Sequence, residues 1–203
     1  MLTATALSCV RGERLLFAGL DFTLEPGEWL HVQGENGAGK TSLLRILAGL
    51  APPAAGEVRW RNEPIQRLAE EYHRHLLFLG HHGAVKEELT PLENLLFAAA
   101  IDGVTLSEAE ALAQLARFGL RGREDLAVRF LSAGQKRRVL LARVAVRKAA
   151  LWILDEPFTA LDVKAVELLS NLILEHVKGG GMVILTSHQS IPLPNGKVLK
   201  VGA

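Results

Sequence analysis

From residue 34 the chain reads Gly34-Glu35-Asn36-Gly37-Ala38-Gly39-Lys40-Thr41, followed by Ser42. Glycines let consecutive backbone N–H groups curl inward, and a helix beginning at Lys40 points its positive end into the same space, so that a polyphosphate is held there. The spacing satisfies the strand–GxxxxGK(S/T)–helix pattern of nucleotide-binding loops. In that pattern Lys40 neutralises the β- and γ-phosphates, Thr41 offers a hydroxyl to a Mg²⁺ bridging them, and Ser42 supplies a further polar contact. A plain glycine-rich turn accounts for neither the lysine nor the flanking elements.

A second group, Asp155 and Glu156 followed by Pro157, closes the apolar run Leu151-Trp152-Ile153-Leu154. Open parallel sheets place ligand chemistry at the carboxyl ends of their strands. Asp155, in line with the run, is assigned to hold Mg²⁺ through its water shell, and Glu156 to polarise an attacking water. A third group, Leu131-Ser132-Ala133-Gly134-Gln135, opens a basic and apolar helix that runs to about Arg147. Ser132 as N-cap and Gln135 three residues on form a capping box that needs no ligand. Gly134 is not required by the cap, and it lets a ligand approach the backbone at a helix N-terminus.

These groups need elements to hold them. Leu20 to Leu24 alternates apolar and polar, and Trp29 to Val32, interrupted by His31, leads as a strand into the glycine-rich segment. From Lys40 the residues Leu43, Leu44, Ile46, Leu47 and Leu50 recur at helical spacing, with Gly49 as a stop signal. Leu76 to Leu79, Leu151 to Leu154 and Met182 to Leu185 are short continuous apolar runs, the pattern of strands buried on both faces of a parallel sheet. Between about Lys86 and Phe130 the pattern is helical, with Pro91 and Ser107 as first-turn residues and no strand. The Asn195-Gly196 dipeptide predicts a hairpin between two short C-terminal strands. The expected fold is α/β with a central, mainly parallel sheet. It is one domain over residues 1–203 with a helical insertion at about 86–147.

Taken in order, Gly34 to Thr41, Leu131 to Gln135, Leu154-Asp155-Glu156-Pro157, Thr159-Ala160-Leu161-Asp162 and His188 resemble the motifs of ABC transporter ATPases. They span residues 34 to 188, and Ala133 is the one departure from LSGGQ. The resemblance implies an N-terminal antiparallel β portion, ATP hydrolysis and a head-to-tail homodimer. Ser132, Gly134 and Gln135 of one copy then meet ATP held by Gly34 to Ser42 of the other. It further implies that Glu156 is the general base, that Asp162 links the two sites across the dimer, and that His188 contacts the γ-phosphate.

Two positions depart from that family. Its magnesium-contacting glutamine is missing, and Leu79-Gly80-His81-His82-Gly83 puts His82, or His81, in its place, where a neutral imidazole can bond water or sense the metal. The aromatic residue that stacks on adenine in relatives is absent near Cys9 to Arg11, which leaves Arg11 as a stacking cation. His73, His75, His81 and His82 lack tetrahedral-ligand spacing and a companion cysteine, so they read as ordinary polar residues. Lys136-Arg137-Arg138 reads as a solvated helix face and carries no expectation of nucleic acid.

The Gly80-His81-His82-Gly83 segment, Leu151 to Asp162 and Ile184 to Gln189 most resemble the cytochrome c maturation ATPases, the haem exporter subunits. That resemblance implies a peripheral protein on the cytoplasmic side of the bacterial inner membrane. Its transmembrane permease partners dock around His82 to Thr90, and haem belongs to those partners and is not bound directly. The composition agrees: 49% hydrophobic, 22% charged and net charge +1 give no whole-chain signal for nucleic acid. The lone Cys9 reads as a small buried residue in a reducing compartment. No secretory signal opens the sequence, and no apolar run approaches the ~20 residues of a membrane span. Alternatives are an ABC ATPase for another transported substrate and a soluble one acting on nucleic acid or ribosomes. Such soluble relatives carry paired cassettes or coiled-coil insertions, which are not seen here. A scaffold that only binds ATP would have lost Lys40 or Glu156.

Overall fold

The phosphate loop hangs from the end of a strand that lies inside a parallel sheet. The structure, a computed structural model, describes residues 1–80, 85–188 and 191–202. The chain divides into two compact units, Met1–His81 with Ala149–Pro157 and Ile173–Ala203, and His82–Lys148 with Phe158–Leu172.

In the first unit, β1 (Leu2–Arg11) and β2 (Arg14–Leu24) form an antiparallel pair. With β4 (Ala55–Trp60) and β5 (Glu63–Pro64) they make a sheet of order β2-β1-β4-β5. Strand β1 carries no clean alternation because its period is interrupted. Ala6 takes φ 49° and the register with β2 shifts between Ala4 and Leu7. Leu2 and Ala4 on one side of this bulge, and Leu7 and Cys9 on the other, all reach the core. An extra residue in a period-2 element moves the following side chains to the opposite phase, so a search for alternation fails over such a strand.

The second sheet is entirely parallel, in the order β6 (Leu76–Leu79), β7 (Leu151–Leu154), β8 (Met182–Thr186), β3 (Trp29–Gln33) and β9 (Lys197–Lys200). Every residue of β7 and β8 is buried, as the continuous apolar runs predict. The expected C-terminal hairpin does not form. Asn195 does take the positive φ of 57° that favoured the reading, but the single strand after it, β9, pairs in parallel with β3. An open strand edge on the central sheet offers more backbone partners than a two-residue turn could.

Helix α1 (Lys40–Leu47) buries Leu43, Leu44, Ile46 and Leu47 in a core with Trp60, Tyr72, Ile153 and Ile184. Each such side chain contributes roughly 1.5–3 kcal/mol by leaving water. The helix ends three residues before the predicted Leu50. Gly49, at φ 71°, donates to the Ile46 carbonyl and Leu50 to that of Arg45, a Schellman closure that leaves Leu50 half exposed. Helix α2 (Ala69–Arg74) leads into β6, and the Tyr72 hydroxyl donates to the Leu47 carbonyl at 2.5 Å, tying down the last turn of α1.

The second unit holds α3 (Pro91–Ile101), α4 (Glu108–Arg117), a 3₁₀ turn at Val128–Phe130, α5 (Ala133–Val146) and the start of α6 (Val163–Lys178). Three reciprocal capping boxes start its helices: Thr90 with Glu93, Ser107 with Glu110 and Ser132 with Gln135. Pro91 is therefore a first-turn residue, and Ser107 stands one place before its helix. Asn94, 3% exposed, bonds both backbone groups of Lys86 and so fixes the segment leading into α3. No helix among the described residues is long and apolar enough to cross a membrane.

Candidate functional site

The loop after β3 takes the shape its glycines predict. Gly37 and Gly39 have φ of 80° and 103°, conformations that L side chains rarely adopt. Ala38 N–H donates to Glu35 at 3.2 Å, and α1 starts at Lys40 with Leu43 N–H on the Gly39 carbonyl. Lys40 is buried, and its ammonium bends back over the loop to donate to the carbonyls of Gly34 (2.7 Å) and Glu35 (3.2 Å). Glu35, Asn36 and Gly37 are exposed. A cation is thus held on the loop's own carbonyls, with no side-chain anion among the described residues bonded to it.

Asp155 follows β7 and is 2% exposed. One carboxylate oxygen accepts from the Thr41 hydroxyl at 2.8 Å and the other from the Thr186 hydroxyl at 2.7 Å, while Asp155 N–H donates to the Leu79 carbonyl. Thr186, wholly buried at the end of β8, also accepts the Glu156 N–H at 2.8 Å. Glu156 sits at φ 51°, uncommon for a residue with a side chain. Its carboxylate receives the His188 N–H at 3.3 Å and lies 3.5 Å from His188 Nε2. Gly34 to Thr41, Asp155, Glu156 and His188 are therefore assembled within one unit, on consecutive carboxyl ends of parallel strands, the place such sheets bind ligands. Thr186 is the member that sequence reasoning missed. The available signal was a hydroxyl closing an otherwise apolar strand beside His188.

The remaining candidates lie elsewhere. Ser132, Gly134, Gln135 and Asp162 belong to the second unit. Ser132 and Gln135 are occupied with each other, Ser132 N–H to Gln135 Oε1 at 2.9 Å and Gln135 N–H to Ser132 Oγ at 3.2 Å. Asp162 accepts from Ala165 N–H at 2.9 Å and pairs with Arg138; these contacts hold its carboxyl below the ordinary range, the backbone bond more than the arginine. Ser42 is half-buried beside Leu43 in the first turn of α1. Arg11 is exposed and opposite Arg14 in the β1–β2 pair. A cavity of about 610 Å³ beside the loop is lined by Arg14, Leu15 and Leu16 of β2 and Lys200 of β9, together with Glu35 and Asn36. His82 and His81 lie outside the described residues, as does Gln189. His73 bonds the Ala48 carbonyl at 3.0 Å and His75 packs beside Trp60, which are structural contacts.

The Thr41 hydroxyl and the Asp155 carboxylate meet as a pair of hard oxygen donors, the ligand type that Mg²⁺ takes. Among the described residues no group of three or more His, Cys, Asp or Glu could hold a metal unaided. The donor set therefore suits an ion that brings most of its own oxygen ligands, as phosphates and water do.

A family model described as "ABC transporter" matches residues 17–159. The chain belongs to the ABC transporter family. It is 58% identical over 198 residues to the cytochrome c biogenesis ATP-binding export protein CcmA of Dechloromonas aromatica strain RCB, covering 98% of this chain and 97% of that protein. Among solved structures, an ATP-binding subunit of an ABC transporter matches with a TM-score of 0.83 at 27% identity, over 93% of this chain and 79% of that one. An ATP-binding cassette in a dimeric, post-hydrolysis state bound to ADP and Pi matches with a TM-score of 0.83 over 100% of this chain and 94% of that one. At 23% identity this last likeness concerns the fold alone. The fold of this ABC-family chain is thus similar to that of a solved ABC-transporter ATP-binding subunit.

Proposed function

We propose that the chain is the ATP-hydrolysing subunit of an ABC transporter, one ATPase domain with a helical insertion, which works as a homodimer closing around two ATP molecules. It drives transmembrane permease partners from the cytoplasmic side of the bacterial inner membrane. Its turnover serves delivery or release of haem for cytochrome c biogenesis; the relative's name supports the cytochrome c biogenesis and export part of this reading. The observation that carries the hydrolytic reading is the joint formed by Thr41, Asp155, Thr186, Glu156 and His188 beside the Lys40 loop.

In this reading the amides of Gly34 to Thr41 and the Lys40 ammonium bind the triphosphate, Lys40 exchanging its loop carbonyls for phosphate oxygens. Thr41 and Asp155 are the residues that would hold Mg²⁺, which would neutralise charge on the β- and γ-phosphates. Glu156 accepts a proton from the water that attacks the γ-phosphorus, and the bond to the β,γ-bridging oxygen breaks to leave ADP and phosphate. His188 holds Glu156 through its backbone N–H and offers its exposed ring to the γ-phosphate. Ser132, Gly134 and Gln135 of one copy close over the nucleotide of the other, with Asp162 joining the two sites. Either Arg11 or the Arg14 side of the neighbouring cavity takes the base. Segment 82–90 of the helical unit is the docking surface for the membrane partner.

The test is Glu156→Gln, which keeps size and hydrogen bonding and removes the base. ATP binding should remain, turnover should fall at least a hundredfold, and an ATP-bound dimer should accumulate on gel filtration. Turnover at the wild-type rate would remove Glu156 from its role.

A further inference from the structure

Strand β3 leads into the phosphate loop from inside the parallel sheet, yet two of its five residues, His31 and Gln33, are polar; Gln33 also lines the cavity beside the loop, and the hydrolytic step above uses neither. They are linked. Gln33 Nε2 lies 3.0 Å from His31 Nδ1, and because an amide nitrogen has only hydrogens to offer, Nδ1 must accept. In a neutral imidazole the proton then resides on Nε2, which lies 3.4 Å from the Ser187 carbonyl, a group that can only accept. The bonds therefore run in one direction, from Gln33 through His31 to Ser187. Burial, aided by Lys40, lowers the ring's pKa against the Ser187 carbonyl and the Glu156 charge, favouring this neutral form.

What His31 grips is the peptide between Ser187 and His188. A trans peptide is planar, with its C=O and N–H pointing in opposite directions, so fixing the oxygen fixes the direction of the hydrogen. That hydrogen is on His188 N, which donates to Glu156 Oε2 at 3.3 Å. On the β7 side, the hydroxyl of Thr186 already ties the preceding residue to Asp155 and to the Glu156 backbone. His31 is the corresponding hold from the β3 side, acting on the carboxylate of Glu156 rather than on its backbone.

We propose that His31, backed by Gln33, is a positioning residue for hydrolysis, setting the 187–188 peptide plane so that the His188 N–H keeps the Glu156 carboxylate aimed at the attacking water. The inference rests on Glu156 being the base. It gives β3 a second task, reporting the position of the phosphate-loop strand to the catalytic carboxylate through two side chains and one peptide.

The experiment compares the full chain with His31→Leu, which fills the same space without a donor, and His31→Gln, whose amide N–H can replace Nε2–H. Binding is read with a fluorescent ATP analogue, turnover by phosphate release, and folding by thermal unfolding. His31→Leu should lower kcat about tenfold, the scale of a slightly misaimed catalytic group, with KM and analogue affinity within about twofold. His31→Gln should recover most of kcat. In a Glu156→Gln background, His31→Leu should lower the residual rate no further. Nitrogen-15 NMR of labelled histidine should show His31 as the Nε2–H tautomer. Wild-type kcat in His31→Leu, equal loss in both variants, or the Nδ1–H tautomer overturns the proposal. A Glu156→Gln protein with normal turnover would instead remove the base assignment, and this inference with it. A dead Glu156→Gln beside a fully active His31→Leu sinks the positioning role alone.

Discussion

Replacing Thr186 by valine preserves shape and removes one hydroxyl that serves two partners. That hydroxyl donates to Asp155 at 2.7 Å and accepts the Glu156 N–H at 2.8 Å, and the residue is wholly buried. A hydrogen bond to a charged acceptor is worth about 1.5–3 kcal/mol, and a buried N–H left without an acceptor costs about 1–3 kcal/mol. The Asp155 carboxylate still accepts from Thr41, and its backbone N–H still donates to the Leu79 carbonyl, so the two losses overlap rather than add. A total of about 3 kcal/mol is expected. For a chain of this length each kcal/mol moves the unfolding midpoint by about 2–4 °C, which predicts a drop of about 6–12 °C for Thr186→Val. Thr186→Ser keeps the hydroxyl, loses only a methyl, and should cost about 1 kcal/mol. Turnover should separate the two variants more sharply. Without the Glu156 N–H anchor the general base loses its backbone register and kcat should fall more than tenfold in the valine variant, while serine stays within about threefold of wild type. Calorimetry and phosphate release on the same preparations decide the matter. Valine and serine variants of equal stability and equal kcat would refute the view that this hydroxyl joins the strand ends.

Other outcomes follow from the same geometry. Tyr72→Phe removes the donor to the Leu47 carbonyl at the end of α1 and should lower stability by about 1–2 kcal/mol in urea titration, with little change in the urea dependence. His176 stacks on Trp152 at 3.9 Å between ring centres, and burial lowers its pKa in the folded state. The unfolded chain therefore binds a proton more readily. Stability should be at its full value above the unfolded pKa of about 6.5 and decline as pH falls toward the folded value. His176→Phe, which keeps a stacked ring, should show a smaller loss of unfolding temperature between pH 7 and pH 5 than wild type. Ser132→Asp keeps a good N-cap for α5, so the unfolding temperature should hold within about 2 °C. If Ser132 meets the γ-phosphate of a partner's ATP, the added negative charge should still abolish ATP-driven dimerisation on gel filtration.

Much of this protein is legible before folding is considered, because some of its chemistry is written in adjacent residues. The curl of Gly34 to Thr41, the cap at Ser132 and Gln135 and the two-sided burial of Leu151 to Leu154 each depend on local backbone geometry and local spacing. The bulge at Ala6 hides β1, since one extra residue breaks the period that marks a strand. Asn195-Gly196 reads as a hairpin turn, and its following strand goes to β3, because a dipeptide reports which conformations are cheap and not which sheet edge is vacant. The joints of the site are of this second kind. Thr41 and Asp155 stand 114 positions apart, and Thr186 and Asp155 stand 31 apart. They meet because β3, β7 and β8 end side by side in one parallel sheet. Strand order is set by the burial of whole faces and by the crossovers between strands, so a hydroxyl such as Thr186 or a ring such as His31 acquires its partner only when the sheet closes.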